Sequence, residues 1–177
     1  MDLAGSPRNK TGCCVLDVGE VKVVSLSLLL SDDDIVSFVE SANPFIVAVD
    51  APLVYTGVRR RCDELLQGYG AIPVTLRGME ALAKRGVILA GRLRGGGFNC
   101  VEVHSTSSAK ILGVYDKVDF TLQKNLVELG LKGDIESRIL VRDELDAILA
   151  ALTGYLHGLG GTEVVGDDCG RIAVPRV

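Results

Sequence analysis

Asp2, Asp50, Asp143 and Asp146 stand where a chain of this pattern leaves a strand or enters a helix. Asp50 closes the apolar run Phe45-Ile46-Val47-Ala48-Val49 just before Ala51-Pro52. Asp2 opens Asp2-Leu3-Ala4-Gly5, and Asp143-Glu144-Leu145-Asp146-Ala147 begins a long apolar stretch. Ligands of open α/β sheets sit beyond the carboxyl ends of the strands, so carboxylates gathered there can hold a divalent cation. Hard oxygen ligands suit Mg2+ or Mn2+, and two such ions about 4 Å apart activate a water and stabilise a leaving oxygen. The expected chemistry is phosphoryl transfer or phosphodiester hydrolysis. Its expected catalytic set is Asp2, Asp50, Glu102 and Asp146, with Asp2, Asp50, Asp143 and Asp146 as metal ligands. Asp143 lies three residues before Asp146 and so shares its helix face. Taken singly, each has a plainer role: Asp2 as a solvated terminal residue, Asp50 as a turn former, Asp143 as a favourable first-turn charge, Glu102 as a solvated strand residue.

Contacts to substrate are expected from three places. Ser6, Arg8 and Lys10 form a polar turn beside Asp2, and His104 shares a strand face with Glu102. Arg59, Arg61 and Arg77 belong to a stretch, Arg59 to Arg94, with eight basic residues against three acidic ones. Backbone phosphates dominate nucleic-acid affinity, so this stretch is expected to steer a DNA or RNA strand even though the whole chain carries a net charge of −4. A solvated charged face is the plainer account, and Tyr69 alone offers little stacking surface there.

The elements that must position these residues follow from periodicity. Thr11 to Val18 and Val21 to Leu30 are β-rich runs joined at Gly19-Glu20, which predicts a hairpin, and Asp2 to Ala4 predicts a strand before it. Asp2 follows Met1 directly, so that strand is short. Ser31 followed by Asp32, Asp33 and Asp34 is a capped, acidic helix start, and Asn43-Pro44 ends the helix. Phe45 to Val49 reads as a buried parallel strand. Helical pieces are expected near Arg61 to Gln67 and Leu76 to Leu93, within a basic helical insertion over about 53–97. Asn99 to Ser105 returns to strand. Helices follow at Thr106 to Leu112, at Thr121 to Leu129, and from about Val141 to Leu159, where Leu145, Ile148, Leu149, Leu152, Leu156 and Leu159 make one apolar stripe. A small hairpin is expected around Asp167 to Gly170. The order predicts one α/β domain over 1–177: a mixed five-stranded sheet of order 3-2-1-4-5, second strand antiparallel, with helices on both faces. That is the ribonuclease H-like topology.

Six motifs occur in order over nearly the whole chain. They are Asp2-Leu3-Ala4-Gly5-Ser6-Pro7 with Thr11-Gly12; Val49-Asp50-Ala51-Pro52; Arg61-Cys62-Asp63; the stretch from Arg77-Gly78-Met79 to Arg85-Gly86; Val101-Glu102-Val103-His104 with Thr106 and Lys110; and Glu144-Leu145-Asp146-Ala147 with Thr153-Gly154. Together they resemble a domain-of-unknown-function family of predicted nucleases with a ribonuclease H-like fold, akin to the RuvC resolvases. The resemblance implies a metal-dependent nuclease.

Composition bounds the rest. With 177 residues, 47% of them apolar, the chain can build a core without staples. Its longest apolar run is far short of the roughly 20 residues of a membrane span, and Met1-Asp2 is no secretory leader, so a cytoplasmic protein without a membrane partner is expected. Five scattered cysteines lack paired zinc spacing and read as small hydrophobes, with a Cys62–Cys100 disulfide as the alternative. Two rival functions remain on this fold. One is a phosphotransferase of the actin and hexokinase class, which needs a homodimer to close a nucleotide cleft. The other is a non-catalytic binding module.

Overall fold

β1 (Thr11–Val18) and β2 (Lys22–Leu29) form an antiparallel hairpin, paired from Thr11 opposite Leu29 to Val18 opposite Lys22, in a computed structural model that describes residues 1–176. Ser31 then caps α1 (Asp32–Ala42): its Oγ accepts the Asp34 N–H at 3.1 Å, and Asp32 to Asp34 meet the positive end of the helix dipole. Asn43 stops the helix in the left-handed region, at φ 43°. β3 (Val47–Val49) follows and is paired in parallel with β4 (Cys100–Glu102). The intervening chain is helical, with α2 (Arg61–Leu65), a single 3₁₀ turn at Gln67–Tyr69 and α3 (Met79–Gly95).

After β4 come α4 (Ser105–Ile111), α5 (Asp119–Glu128), β5 (Leu131–Gly133), α6 (Asp134–Ser137), α7 (Arg142–Gly158) and the hairpin of β6 (Thr162–Asp167) with β7 (Gly170–Pro175). The fold is mixed α/β. β5 and α6 had no signal in the sequence, because a three-residue strand and a four-residue helix are too short to show a period.

The regular strands make sheets of three (β1-β2-β5), two (β3-β4) and two (β6-β7), rather than the single five-stranded sheet expected. The cause is the first segment. Asp2 bridges Gly12 in antiparallel sense and Asp50 in parallel sense, but around it Met1–Leu3 makes isolated bridges and not a strand. Asp2 exchanges bonds with Gly12 at 2.8 and 3.1 Å, and Asp50 N–H donates to the Met1 carbonyl at 2.9 Å. A further bridge joins Val103 to Ala173.

Helices cover both faces. Met1, Leu3 and Val49 pack with Ile35 and Val39 of α1 and Leu89 and Leu93 of α3. On the other face Val24 and Leu131 pack with Leu122 and Leu126 of α5 and Leu145, Ile148 and Leu149 of α7. No helix among the described residues is long and apolar enough to cross a membrane. All five cysteines are free, so the Cys62–Cys100 alternative does not hold.

Gly12 sets how closely α7 approaches β1. A Cβ there would run into the backbone carbonyl of Asp143, and the helix cannot give without dragging its first turn. Gly12→Ala is therefore expected to destabilise the protein by about 1–3 kcal/mol, the usual cost of overpacking. Urea unfolding measures it, and a variant as stable as the parent would show that the helix is free to retreat.

Candidate functional site

Neighbouring positions of a parallel ladder point their side chains to the same face, so the bridge between Asp2 and Asp50 sets two carboxylates side by side. Met1 and Leu3 point into the core under α1 and α3. By alternation Asp2 points the other way, toward α7, whose first two turns carry Asp143 and Asp146. Asp50 Oδ2 accepts the Ser105 N–H at 3.0 Å, and the buried Ser105 hydroxyl donates to the Asp146 carbonyl at 2.8 Å. The start of α4 thus ties the end of β3 to α7.

The four carboxylates feel one another. Burial first, then the charges of Asp50, Asp146 and Asp143, push Asp2 up to about 8, against the pull of the Met1 amino group. Burial, then Asp50, lifts Asp146 to about 7, while Arg142 opposes and Asp143 and Asp119 add to the rise. Asp50 is thus the largest charge acting on either. None of Asp2, Asp50, Asp143 and Asp146 forms an ion pair with Lys or Arg among the described residues, Arg142 being paired with Asp119 at 2.6 Å.

A pH dependence follows, with its sign. Both folded pKa values lie above the ordinary 3.8, so the folded state binds more protons than the unfolded one. This contribution to stability is complete below about pH 4 and is lost as pH rises through 7 to 8. The melting temperature of the metal-free protein is expected to fall across that window, and Asp50→Asn to flatten the fall. A slope that Asp50→Asn leaves unchanged would show that the carboxylates do not interact.

Glu102 stands apart from the set. Its Oε1 accepts Arg60 Nη1 at 2.7 Å and its Oε2 accepts the Leu53 N–H at 2.7 Å. Arg60 also grips Asp63, at 2.6 Å through Nη2 and 3.2 Å through Nε, and Asp63 accepts the Val74 N–H at 3.3 Å. These side chains are 3–4% exposed. Burial lifts Glu102 to about 7, while Arg60 and the Leu53 N–H pull it down. The expected catalytic Glu102 is therefore a braced carboxylate in a closed ionic network. It still borders, with Asp2, Asp50, Arg60 and His104, a cleft of about 290 Å³.

His104 caps α4: its Nδ1 accepts the Ser107 N–H at 3.2 Å and lies 2.7 Å from the Ser107 hydroxyl. With Nδ1 accepting, the neutral ring carries its proton on Nε2. Ser6 is half-buried in a turn, its Oγ accepting the Arg8 N–H at 3.3 Å, and Arg8 and Lys10 are exposed.

The basic stretch divides into two sets, with Arg94 bonded instead to the Cys100 carbonyl at 3.4 Å. Arg59, Arg61 and Arg77 are exposed and without an ion-pair partner among the described residues. Arg60, Lys84, Arg85 and Arg92 are committed to carboxylates. Arg85 is buried; it bonds Asp32 at 2.8 Å and the carbonyls of Ala4 at 2.6 Å and Leu30 at 3.0 Å. Four of the eight cations in this stretch thus pair with the chain's own carboxylates, and two of those, Arg60 and Arg85, are buried braces of the fold. For Arg85 a signal existed, because with Leu89 and Leu93 it makes an i, i+4, i+8 stripe on the buried face. Arg60 had none, as nothing local separates it from Arg59 and Arg61.

In the arrangement described, no group of three or more His, Cys, Asp or Glu side chains is already set to hold a metal ion. No family model, curated protein or solved structure matches this chain.

Proposed function

We propose that this chain is a Mg2+- or Mn2+-dependent phosphodiesterase acting on nucleic acid, a nuclease on a ribonuclease H-like frame, with Asp2, Asp50, Asp143 and Asp146 as the cation ligands. One observation carries the reading. Asp2 is bridged to Asp50, the charges of Asp50, Asp143 and Asp146 reach it from distant parts of the sequence, and none of the four has a partnering Lys or Arg among the described residues, although they are not already drawn together as a ligand set. Burying like charges without compensation is costly, and hard divalent cations are a chemical match for such an oxygen set. The pairing order β2, β1, Asp2, β3, β4, with β1 reversed, supports the ribonuclease H-like frame.

Asp2, Asp50, Asp143 and Asp146 would hold Mg2+ or Mn2+, which would supply Lewis acidity for phosphodiester hydrolysis. The chain's own residues do the rest. Ser105 N–H orients Asp50, and Arg60 holds Glu102 and Asp63 still, so that the wall of the cleft does not shift as charge develops. His104 keeps its Nε2–H for an oxygen in the cleft, and Arg59, Arg61 and Arg77 attract the strand from outside. Free thiols at five positions fit a reducing compartment, and we place the protein in the cytoplasm.

The test is cleavage of a panel of branched, duplex, hybrid and single-stranded DNA and RNA with Mn2+. At least one substrate is expected to be cut by the parent and not by Asp50→Asn. No cutting, together with no thermal shift from Mn2+, would leave a non-catalytic module; stabilisation by ATP would favour a phosphotransferase.

A further inference from the structure

At the opposite end of the strands from the carboxylates, the layer has a slot. β1 runs past Met1 for five residues, Cys14 to Val18, and β3 reaches back to Val47, with a cavity of about 630 Å³ between the two. Cys14 and Leu16 of β1 and Ala48 of β3 form its edges, Phe38 of α1 one face, and Gly154 and Tyr155 of α7 the other.

The backbone groups at both edges are aimed into it. Gly12 exchanges its two bonds with Asp2, so the alternation of an antiparallel pair turns the N–H and C=O of Cys14 and Leu16 the same way. Leu26, opposite Cys14, accordingly sends its N–H outward to Asp134 at 2.7 Å. On β3, Val47 N–H bonds Asn99 on the far side at 2.8 Å, which leaves Ala48 N–H facing the slot. The ladders to β2 and β4 do not use these three N–H groups, and no bond outside the ladders gives them an acceptor among the described residues. Unpaired ladder groups in an apolar setting call for a strand.

The Met1 nitrogen marks where that strand would join. It donates to the Ala48 carbonyl at 2.7 Å, in line with the ladder, from a residue only 6% exposed. A buried ammonium with one neutral acceptor is costly, whereas an amide at the same place keeps the bond and loses the charge.

We propose that the slot is the seat of an extended, wholly apolar polypeptide segment of about four residues joined directly ahead of Met1, antiparallel to β1 and parallel to β3. Its residues face α7 and α1 in turn, continuing the alternation of Asp2 and Met1. Apart from the exposed Asp17 at the far end of β1, the side chains around the slot are predominantly apolar, so the segment is an uninterrupted apolar run, as in any strand buried on two sides.

Three proteins test this: the chain as given, one with Val-Ile-Val-Val ahead of Met1, and one with Gly-Ser-Gly-Ser there. The apolar extension is expected to raise the melting temperature by about 5 °C and to slow hydrogen exchange at the Cys14, Leu16 and Ala48 amides at least about tenfold, and the Gly-Ser extension to do neither. Equal exchange in the two extended proteins overturns the proposal. So does equal protection of the unextended chain by free acetyl-Val-Ile-Val-Val, which would assign the slot to a partner's strand. Mass spectrometry of the protein from its own cells is expected to find residues ahead of Met1, and an N-terminal peptide beginning at Met1 overturns it as well.

Discussion

Asp50→Asn and Asp146→Asn are expected to abolish the thermal shift produced by Mn2+ and to lower cleavage by more than about 100-fold, since loss of a partner outside the ligand set already costs a metal site about 10–100-fold. The same substitutions are expected to raise the stability of the metal-free protein at pH 8. Asp50 is the largest charge pushing Asp2 and Asp146 upward, and an amide in its place removes that repulsion while its Oδ1 still accepts the Ser105 N–H. Opposite signs in one variant, greater stability without the ion and no response to it, distinguish a cation site from a structural carboxylate. Asp50 in a purely structural role predicts the reverse: lower metal-free stability and an intact Mn2+ shift. Thermal melts at pH 5 and pH 8, with and without Mn2+, read out both.

Arg60→Ala is expected to cost about 3–5 kcal/mol, because it strands Glu102 and Asp63 as buried charges without their shared partner. At about 2–4 °C per kcal/mol for a chain of this size, the melting temperature falls by roughly 6–20 °C. Arg60→Lys is expected to recover only part of it, since an ammonium cannot reproduce the fork that bonds Asp63 through two nitrogens and Glu102 through a third. Arg61→Ala, at an exposed neighbour, is expected to stay within about 0.5 kcal/mol of the parent. A loss below about 1 kcal/mol for Arg60→Ala would show that water reaches the network and that the brace under the cleft is not rigid. The three consecutive arginines differ in role because the chain enters α2 at this point, turning Arg60 inward between Asp63 and Glu102 and leaving its neighbours in solvent.

What was legible in the sequence was local. Ser31 with Asp32 to Asp34 announces a helix because a cap and a dipole act within four residues. The stripe from Leu145 to Leu156 announces α7 because burial repeats every turn. The carboxylates at the ends of β3 and at the start of α7 were visible for the same reason, as was the hairpin of β1 and β2. The tertiary structure alone decided which charges meet. Glu102 and Arg60 lie 42 residues apart, and Arg85 and Asp32 lie 53 apart, so no local pattern distinguishes a cation that braces the fold from one left for a phosphate. It likewise decided that Met1–Leu3 forms single bridges in place of a strand, because a strand needs several successive residues paired along at least one edge, and here Asp2 alone is bridged, which is settled in space and not by the order of the chain.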